Sequence, residues 1–368
     1  MKRVDHSYQV LYSELAQRTL DAAFSSDFAI EGRFVTQESG GRRYWYFDLA
    51  KPDGGGKHRR YVGPVDDPEI TQRVEAFKDL KADYRARRKL VSTLTRDAYL
   101  PRPEHMAGDV VQALAEGGFF RLRGVLVGTV AFQAYGPLLG ARMPEAILQT
   151  GDADFAQFHS ISVAVDDEIP PVLDVLRKVD ATFREIPHQA DGRRATAFVS
   201  RTGYRVEFLT PNTGSADHDG QPAQMPALGG AAAQPLRFLD FLIYEPVRAV
   251  LLHGAGVPVL VPAPERYAVH KLIVADRRRA GREGADKRAK DLRQASSLIE
   301  TMIELNKAVE FTDAYAEAWD RGPAWREAIT ASVHALGKDF ETKLRAGLAL
   351  GVEQIGLSPN AVGLTVAI

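Results

Sequence analysis

The sequence contains no cysteine, which excludes disulfides, thiolate metal sites and cysteine nucleophiles in one step. It also lacks long apolar runs. Its hydrophobic stretches are broken by Gly, Pro or charge, so no membrane-spanning helix is expected. The first residues, MKRVDHSYQVLYSELAQ, hold no apolar core of signal-peptide length, and a cytoplasmic protein is the expectation. An excess of one charge is absent too. The 47 Lys and Arg are balanced by 48 Asp and Glu, so any electrostatic recognition must come from local patches. Of His159, His188, His253 and His270, none has another His at metal-ligand spacing, and packing or surface roles are expected for them. No internal repeat is evident.

What is present fits a chain of two or three domains, since 368 residues can bury a large core. Apolar residues at Val10, Leu11, Leu15 and Leu20 predict a helix over 7–23. A small β unit follows, its three runs separated by Gly40-Gly41 and Gly54-Gly55-Gly56. Tyr44, Trp45 and Tyr46, with Lys57, His58, Arg59 and Arg60, have the stacking and charge needed to hold a nucleic-acid strand. The alternative has these aromatics packing on neighbouring helices. Residues 68–94 read as one charge-rich helix, basic in its second half through Lys78, Lys81, Arg85, Arg87, Arg88 and Lys89. Pro101 and Pro103 then mark a boundary, and the expected division is 1–102, 103–262 and 263–368.

The middle of the chain alternates helix and strand patterns. A helix is expected over 105–116, a strand over 119–127, a turn at Gly128-Thr129, and a helix to about residue 140. A strand at 152–158 comes next, then a helix over 167–180 with Pro170-Pro171 in its first turn. Residues 194–200 and 204–209 form a hairpin across Thr202-Gly203. Residues 212–234, small and polar, read as a long loop. Two strands flank His253-Gly254-Ala255-Gly256, and Pro264 opens a helix. A loop with Arg277, Arg278, Arg279 and Arg282 leads to a helix holding Lys287, Arg288, Lys290 and Asp291. From Phe311 on the chain is helical, with Trp319 and Trp325 as packing anchors. The fold class is α+β (α/β mixed), with a small N-terminal β and helical region and a C-terminal helical region.

Three acids carry the chemistry. Asp152 and Asp154 sit one residue apart on a strand, so both side chains share a face and repel each other. A divalent cation, Mg²⁺ or Mn²⁺, prefers oxygen ligands of this kind. Gly128-Thr129 stands where a strand hands over to a helix, and a helix N-terminus is an anion site. Glu207, on the later hairpin strand, supplies a third acid.

This set resembles the DNA polymerase β-like nucleotidyltransferase superfamily. The pattern Pro264-x-Arg-Tyr-Ala-x-His-Lys271-Leu, followed by Lys290-Asp291-Leu292, is similar to a bacterial group of uncharacterised nucleotidyltransferase-fold proteins. More distantly it resembles the nucleotidyltransferase toxins of abortive-infection systems. The resemblance spans residues 124–300 and implies a polymerase β-like core with a mixed sheet. It implies that Gly128 and Thr129 cradle the β- and γ-phosphates of an NTP and that Lys271 contacts the triphosphate. It further implies that Asp152 and Asp154 hold Mg²⁺ and that Glu207 joins a second metal or deprotonates the attacking hydroxyl, with Lys290 and Asp291 as accessory residues. Where the family commonly has Gly-Gly or Gly-Ser this chain has Gly-Thr, its third acid is Glu rather than Asp, and residues 137–149 read as an insertion. The implied partners are an NTP and an acceptor hydroxyl on RNA, such as a tRNA end, on protein or on a small molecule. An antitoxin joins them if the chain is a toxin. The alternative is a non-catalytic nucleotide-sensing or nucleic-acid-binding protein on the same fold.

Overall fold

A computed structural model describes residues 2–26, 28, 33–39, 41–50, 56–75, 83–144, 148, 150–165, 167–212, 220–278 and 281–364. The N-terminal part begins with β1 (Lys2–Arg3) and α1 (His6–Ser26). An antiparallel sheet of β2 (Arg33–Ser39), β3 (Arg42–Ala50) and β4 (Lys57–Pro64) follows, then α2 (Pro68–Glu75) and α3 (Asp83–Arg96). The expected single helix over 68–94 is thus described as two segments, and Lys78 and Lys81 lie outside the described residues. Arg87 of α3 pairs with Asp83 at 3.2 Å and donates to the Ala255 carbonyl at 3.1 Å, so it packs against the core.

The central part starts with α4 (His105–Glu116), as the spacing predicts. The strand expected over 119–127 is shortened to β5 (Val125–Val127). Residues 117–123 form turns instead, closed by bonds such as Leu122 N–H to the Gly118 carbonyl. Arg123 takes a φ of 62°, which breaks extended pairing. Then come α5 (Gly128–Leu139), β6 (Ala141–Arg142), β7 (Asp152–Ala156), α6 (His159–Ala164) and α7 (Val172–Val179). Helix α7 is shorter than the expected 167–180. Pro171 is its N-cap rather than part of its first turn. Within the segment read as an insertion, β6 pairs with β1 and ties down the N-terminus.

Strands β8 (Arg184–Pro187), β9 (Ala195–Val199) and β10 (Arg205–Pro211) follow, with β9 and β10 forming the expected hairpin. The expected loop over 212–234 is corrected in part. Residues 213–219 lie outside the description, but β11 (Ala223–Gln224), a 3-10 turn (Pro226–Leu228) and β12 (Ala232–Leu236) are ordered elements. Small residues hide this strand: Ala232 and Ala233 are buried and pair with β11, and residues 234–236 run on beside β10. The sheet is mixed. Its path runs β11-β12-β10-β7-β5, with β10 parallel to both β7 and β12, and β9 and β8 attached at the other half of that edge of β10. The fold is α+β, as the sequence predicts.

The C-terminal part adds α8 (Leu239–Leu242), the hairpin β13 (Val247–Leu251) and β14 (Val257–Val261), and the helices α9 (Pro264–Asp276), α10 (Arg282–Glu304), α11 (Ala308–Asp320), α12 (Pro323–Leu336) and α13 (Lys338–Ile355). One apolar cluster extends from Ala107 in α4 to Val362, so the sheet and the C-terminal helices share a core. Burial on that scale is the main stabilising term. Two smaller clusters lie under α1 and within the N-terminal sheet. Among the described residues, no helix is long and apolar enough to cross a membrane.

A buried ion pair fastens the N-terminal sheet to the core. Arg121 donates to the Tyr61 carbonyl of β4 at 2.5 Å and to Asp167 at 2.6 Å. Only 8% and 4% of the two side chains are exposed. Removing one partner leaves an uncompensated buried charge. Asp167→Ala should therefore lower the unfolding free energy by about 3–5 kcal/mol in urea titrations, whereas an exposed pair would lose about 1 kcal/mol or less.

Candidate active site

Strands β7 and β10 run parallel and in register, so Asp152 lies opposite Arg205 and Asp154 opposite Glu207. Side chains alternate along each strand and match across the ladder, which sets all four on one face. Strand β5 lies on the other edge of β7, and its last residue, Val127, pairs with Asp154. The next residue, Gly128, turns the chain into α5 with a φ of 67°. A Cβ at that position would collide with Asp154 Oδ2. Glycine is thus required twice, for the left-handed backbone and for the close approach to the acid. Helix α5 begins there with no side-chain cap, so Gly128 and Thr129 place free backbone N–H groups beside the carboxylates.

The acids crowd one another. The Asp154 carboxyl is pushed up to about 7, first by burial and then by the charges of Asp152 and Glu207, with Lys271 and Arg278 opposing. The other two acids are held from the side: the Thr150 hydroxyl donates to Asp152, and Arg205 pairs with Glu207 at 2.7 Å.

Helices α9 and α10 supply the opposite wall. Lys271 donates to Asp291 at 2.6 Å, and Arg278 grips the other carboxylate oxygen from Nε at 2.8 Å and Nη2 at 2.7 Å. Burial alone would raise the Asp291 carboxyl, but Lys271 and Arg278 together outweigh it and hold it below the usual range. Asp291 is 2% exposed and acts as the post that positions both cations. Burial and the nearby Lys271 lower the Lys290 ammonium, while Asp152, Asp291 and Asp154 oppose them, which puts Lys290 on the same cleft. Tyr267, one turn before Lys271, donates to the Gly128 carbonyl at 2.9 Å and sits 3.0 Å from the Gln294 side chain.

The expected residues therefore converge: Gly128, Thr129, Asp152, Asp154 and Glu207 from the sheet side, and Lys271, Lys290 and Asp291 from the helices. Four others were missed. Arg205 shares a face with Glu207 two residues on, a strand alternation readable in the sequence. Tyr267 precedes Lys271 by four residues, the spacing of one helical face. Arg278 belongs to the arginine-rich loop, but nothing in the sequence shows which arginine turns inward; Arg279 lies outside the described residues. The buried Tyr204 hydroxyl has no partner among the described residues and faces the Asp152 and Asp154 charges, which with burial push it well up. His253 and His105 bond the same acid, Asp109, at 2.8 and 2.6 Å, His188 bonds Gln234 at 2.7 Å, and burial lowers His270, next to Lys271, to about 3, keeping it neutral.

The donor set suits a hard cation, being oxygen only, negative and short of local compensation at Asp154. Even so, among the described residues no three acidic or histidine side chains form a closed metal cage.

A family model described as nucleotidyltransferase matches residues 105–320, more than half of the chain and all of the cleft described above. No curated protein and no solved structure matches the chain.

The raised Asp154 carboxyl has a consequence for stability. In the unfolded chain an aspartate titrates near 3.9. The native state therefore keeps a proton that the unfolded state loses between about pH 4 and 7. The contribution is full below that window and lost as pH rises through it. In chelator, Asp154→Asn should gain on the wild type by on the order of 1–4 kcal/mol more at pH 8 than at pH 4, read from urea unfolding. An offset independent of pH would show that Asp154 carries no such strain.

Proposed function

The chain belongs to the nucleotidyltransferase family and is a transferase, and from that premise we propose that it moves a nucleoside monophosphate from an NTP to a hydroxyl acceptor with the help of a divalent cation. The observation that carries this reading is the register of Asp154 with Glu207 directly beneath the Gly128 turn. Asp152 and Asp154 are the proposed ligands of Mg²⁺ or Mn²⁺, which would supply charge neutralisation at the phosphates. The free N–H groups of Gly128 and Thr129 receive β- and γ-phosphate oxygens, where the helix dipole favours negative charge. Lys271, Arg278 and Lys290 line the opposite wall and offset the charge of the triphosphate. Lys271 acts while held by Asp291, so its ammonium is oriented as well as charged.

In the transfer, the acceptor oxygen bonds to the α-phosphorus and the bond from that phosphorus to the bridging oxygen breaks. Pyrophosphate leaves with that electron pair. Glu207 takes the proton of the attacking hydroxyl, which requires its carboxylate to turn from Arg205 towards Asp154. Such chemistry depends on positioning and electrostatics more than on covalent help. The proposed acceptor is RNA, supported by the cationic side chains of α3 and α10, with a protein hydroxyl as the other candidate. The Arg205–Glu207 pair also supports a second reading, a nucleotide sensor in which that pair never opens.

The test is incubation of the purified chain with Mg²⁺ and labelled NTPs in the presence of total RNA and lysate. Label should accumulate in the RNA fraction, and Asp152→Ala should return it to background. Tight NTP binding with no transfer to RNA, protein or the chain itself would favour the sensor. Growth arrest on expression, relieved by Asp154→Ala, would assign a toxin role with an antitoxin partner; harmless expression would remove it.

A further inference from the structure

The N-terminal sheet lies outside the matched family region, and its two faces differ in kind. On the inner face Phe47 packs with Phe28 and Phe34, and Trp45 donates to Thr71 of α2 at 2.7 Å. The outer face carries the alternate residues. Tyr61 meets Tyr44 with ring centroids 6.0 Å apart and Tyr46 at 5.7 Å. Arg59 lies over the Tyr46 ring at 5.7 Å and grips Asp48 through Nε at 2.7 Å and Nη2 at 3.0 Å. Lys57 approaches the same carboxylate at 3.7 Å, and Arg33 and Arg42 extend the face by strand alternation. Three cations, Arg59, Lys57 and Arg33, thus act on one acid, Asp48, which is itself buried and paired, while Arg42 stands at the far end of the same strand. Arg33, Arg42, Lys57 and Arg59 are exposed, and the three tyrosines are partly so. Beyond Tyr61 a cavity of about 300 Å³ opens, lined by Phe120 and Arg123 among others.

We propose that this outer face is a binding platform for a single strand of nucleic acid, with bases stacking on Tyr44, Tyr46 and Tyr61 and the backbone following the cations. Three adjacent rings in a half-exposed antiparallel sheet, edged by arginine and lysine, have the chemistry that holds unpaired bases without reading their sequence. Net positive charge on the face complements a phosphate backbone, and no equal set of acids offsets it. The inner-face tryptophan explains why the sequence pattern alone left two readings open. The packing reading holds on the inner side, and the strand-binding reading is the one proposed for the outer side. The placement also fits the proposed transfer, because β4 is fastened through Arg121 to the turn that leads into β5, whose far end carries Gly128. The platform stands on the sheet's own residues, and only its use as an acceptor site rests on that transfer.

Fluorescence anisotropy of the full chain with short labelled uridine oligoribonucleotides and thymidine oligodeoxynucleotides, without NTP or divalent cation, tests the platform. Binding should weaken as salt rises, and a duplex should bind less well than either strand. Tyr44→Ala with Tyr46→Ala should weaken binding by roughly tenfold or more, while Tyr44→Phe with Tyr46→Phe retains it. Arg42→Gln should weaken binding and flatten its salt dependence. Preference for one sugar would name the strand, and equal binding would show that stacking alone is read. The proposal is overturned if neither oligomer binds, or if the alanine pair, melting as the wild type does, binds equally well. Should the alanine pair unfold, Arg42→Gln decides by the same criterion. Because no nucleotide is present, a failure of transfer leaves this result standing, and transfer to RNA that ignores these substitutions sinks only the platform's use as the acceptor site.

Discussion

Repulsion among three carboxylates is the constraint around which the cleft is built. Asp154 stands between Asp152 on its own strand and Glu207 on the next, and desolvation sharpens the conflict. Much of the surrounding structure manages that charge. Gly128 turns over Asp154 with no side chain to obstruct it, and Tyr267 braces the glycine carbonyl from α9. Thr150 and Arg205 draw the flanking acids outward. Lys271 and Arg278 approach from the opposite wall, held in place by a buried aspartate whose own charge they neutralise. This cluster is the proposed seat of the divalent cation.

The site therefore depends on two structural layers meeting. The parallel pairing of β7 and β10 sets the acids side by side, and the packing of α9 on α5, through Tyr267 against Gly128, Phe132 and Tyr135, brings the cations within range. Each layer is bound into one continuous apolar core, which limits how far the walls can drift apart. The N-terminal sheet is joined to the same core by the Arg121–Asp167 pair and by Arg248, which reaches Asp67 and Glu69 of the segment opening α2. The proposed strand-binding face and the proposed triphosphate cleft are in this way parts of one body.

Much of this was legible in the residues. Alternation alone put Asp152 and Asp154 on one face, and the Gly128-Thr129 handover from strand to helix was visible as a change of period. The parallel register that sets Glu207 against Asp154 was not, because strand pairing across about fifty residues leaves no local mark. Apolar runs misled at 119–127, where Arg123 in a left-handed conformation and the close packing of Gly124 on the Phe119 ring end extended structure early. Small residues misled at 212–234, since Ala232 and Ala233 suit a tightly paired strand as well as a loop. Trp45 between Tyr44 and Tyr46 was readable by alternation, yet which side faced solvent depended on where α2 packs.

The cleft turns on Asp154, whose crowded charge we propose a divalent cation offsets. Carboxyl-carbon NMR of the chain labelled at aspartate, titrated with and without Mg²⁺, measures this directly. An Asp154 midpoint near 7 is expected in chelator, falling to the ordinary carboxylate range when Mg²⁺ is added. A midpoint already ordinary in chelator, or one that Mg²⁺ leaves near 7, would overturn that proposal.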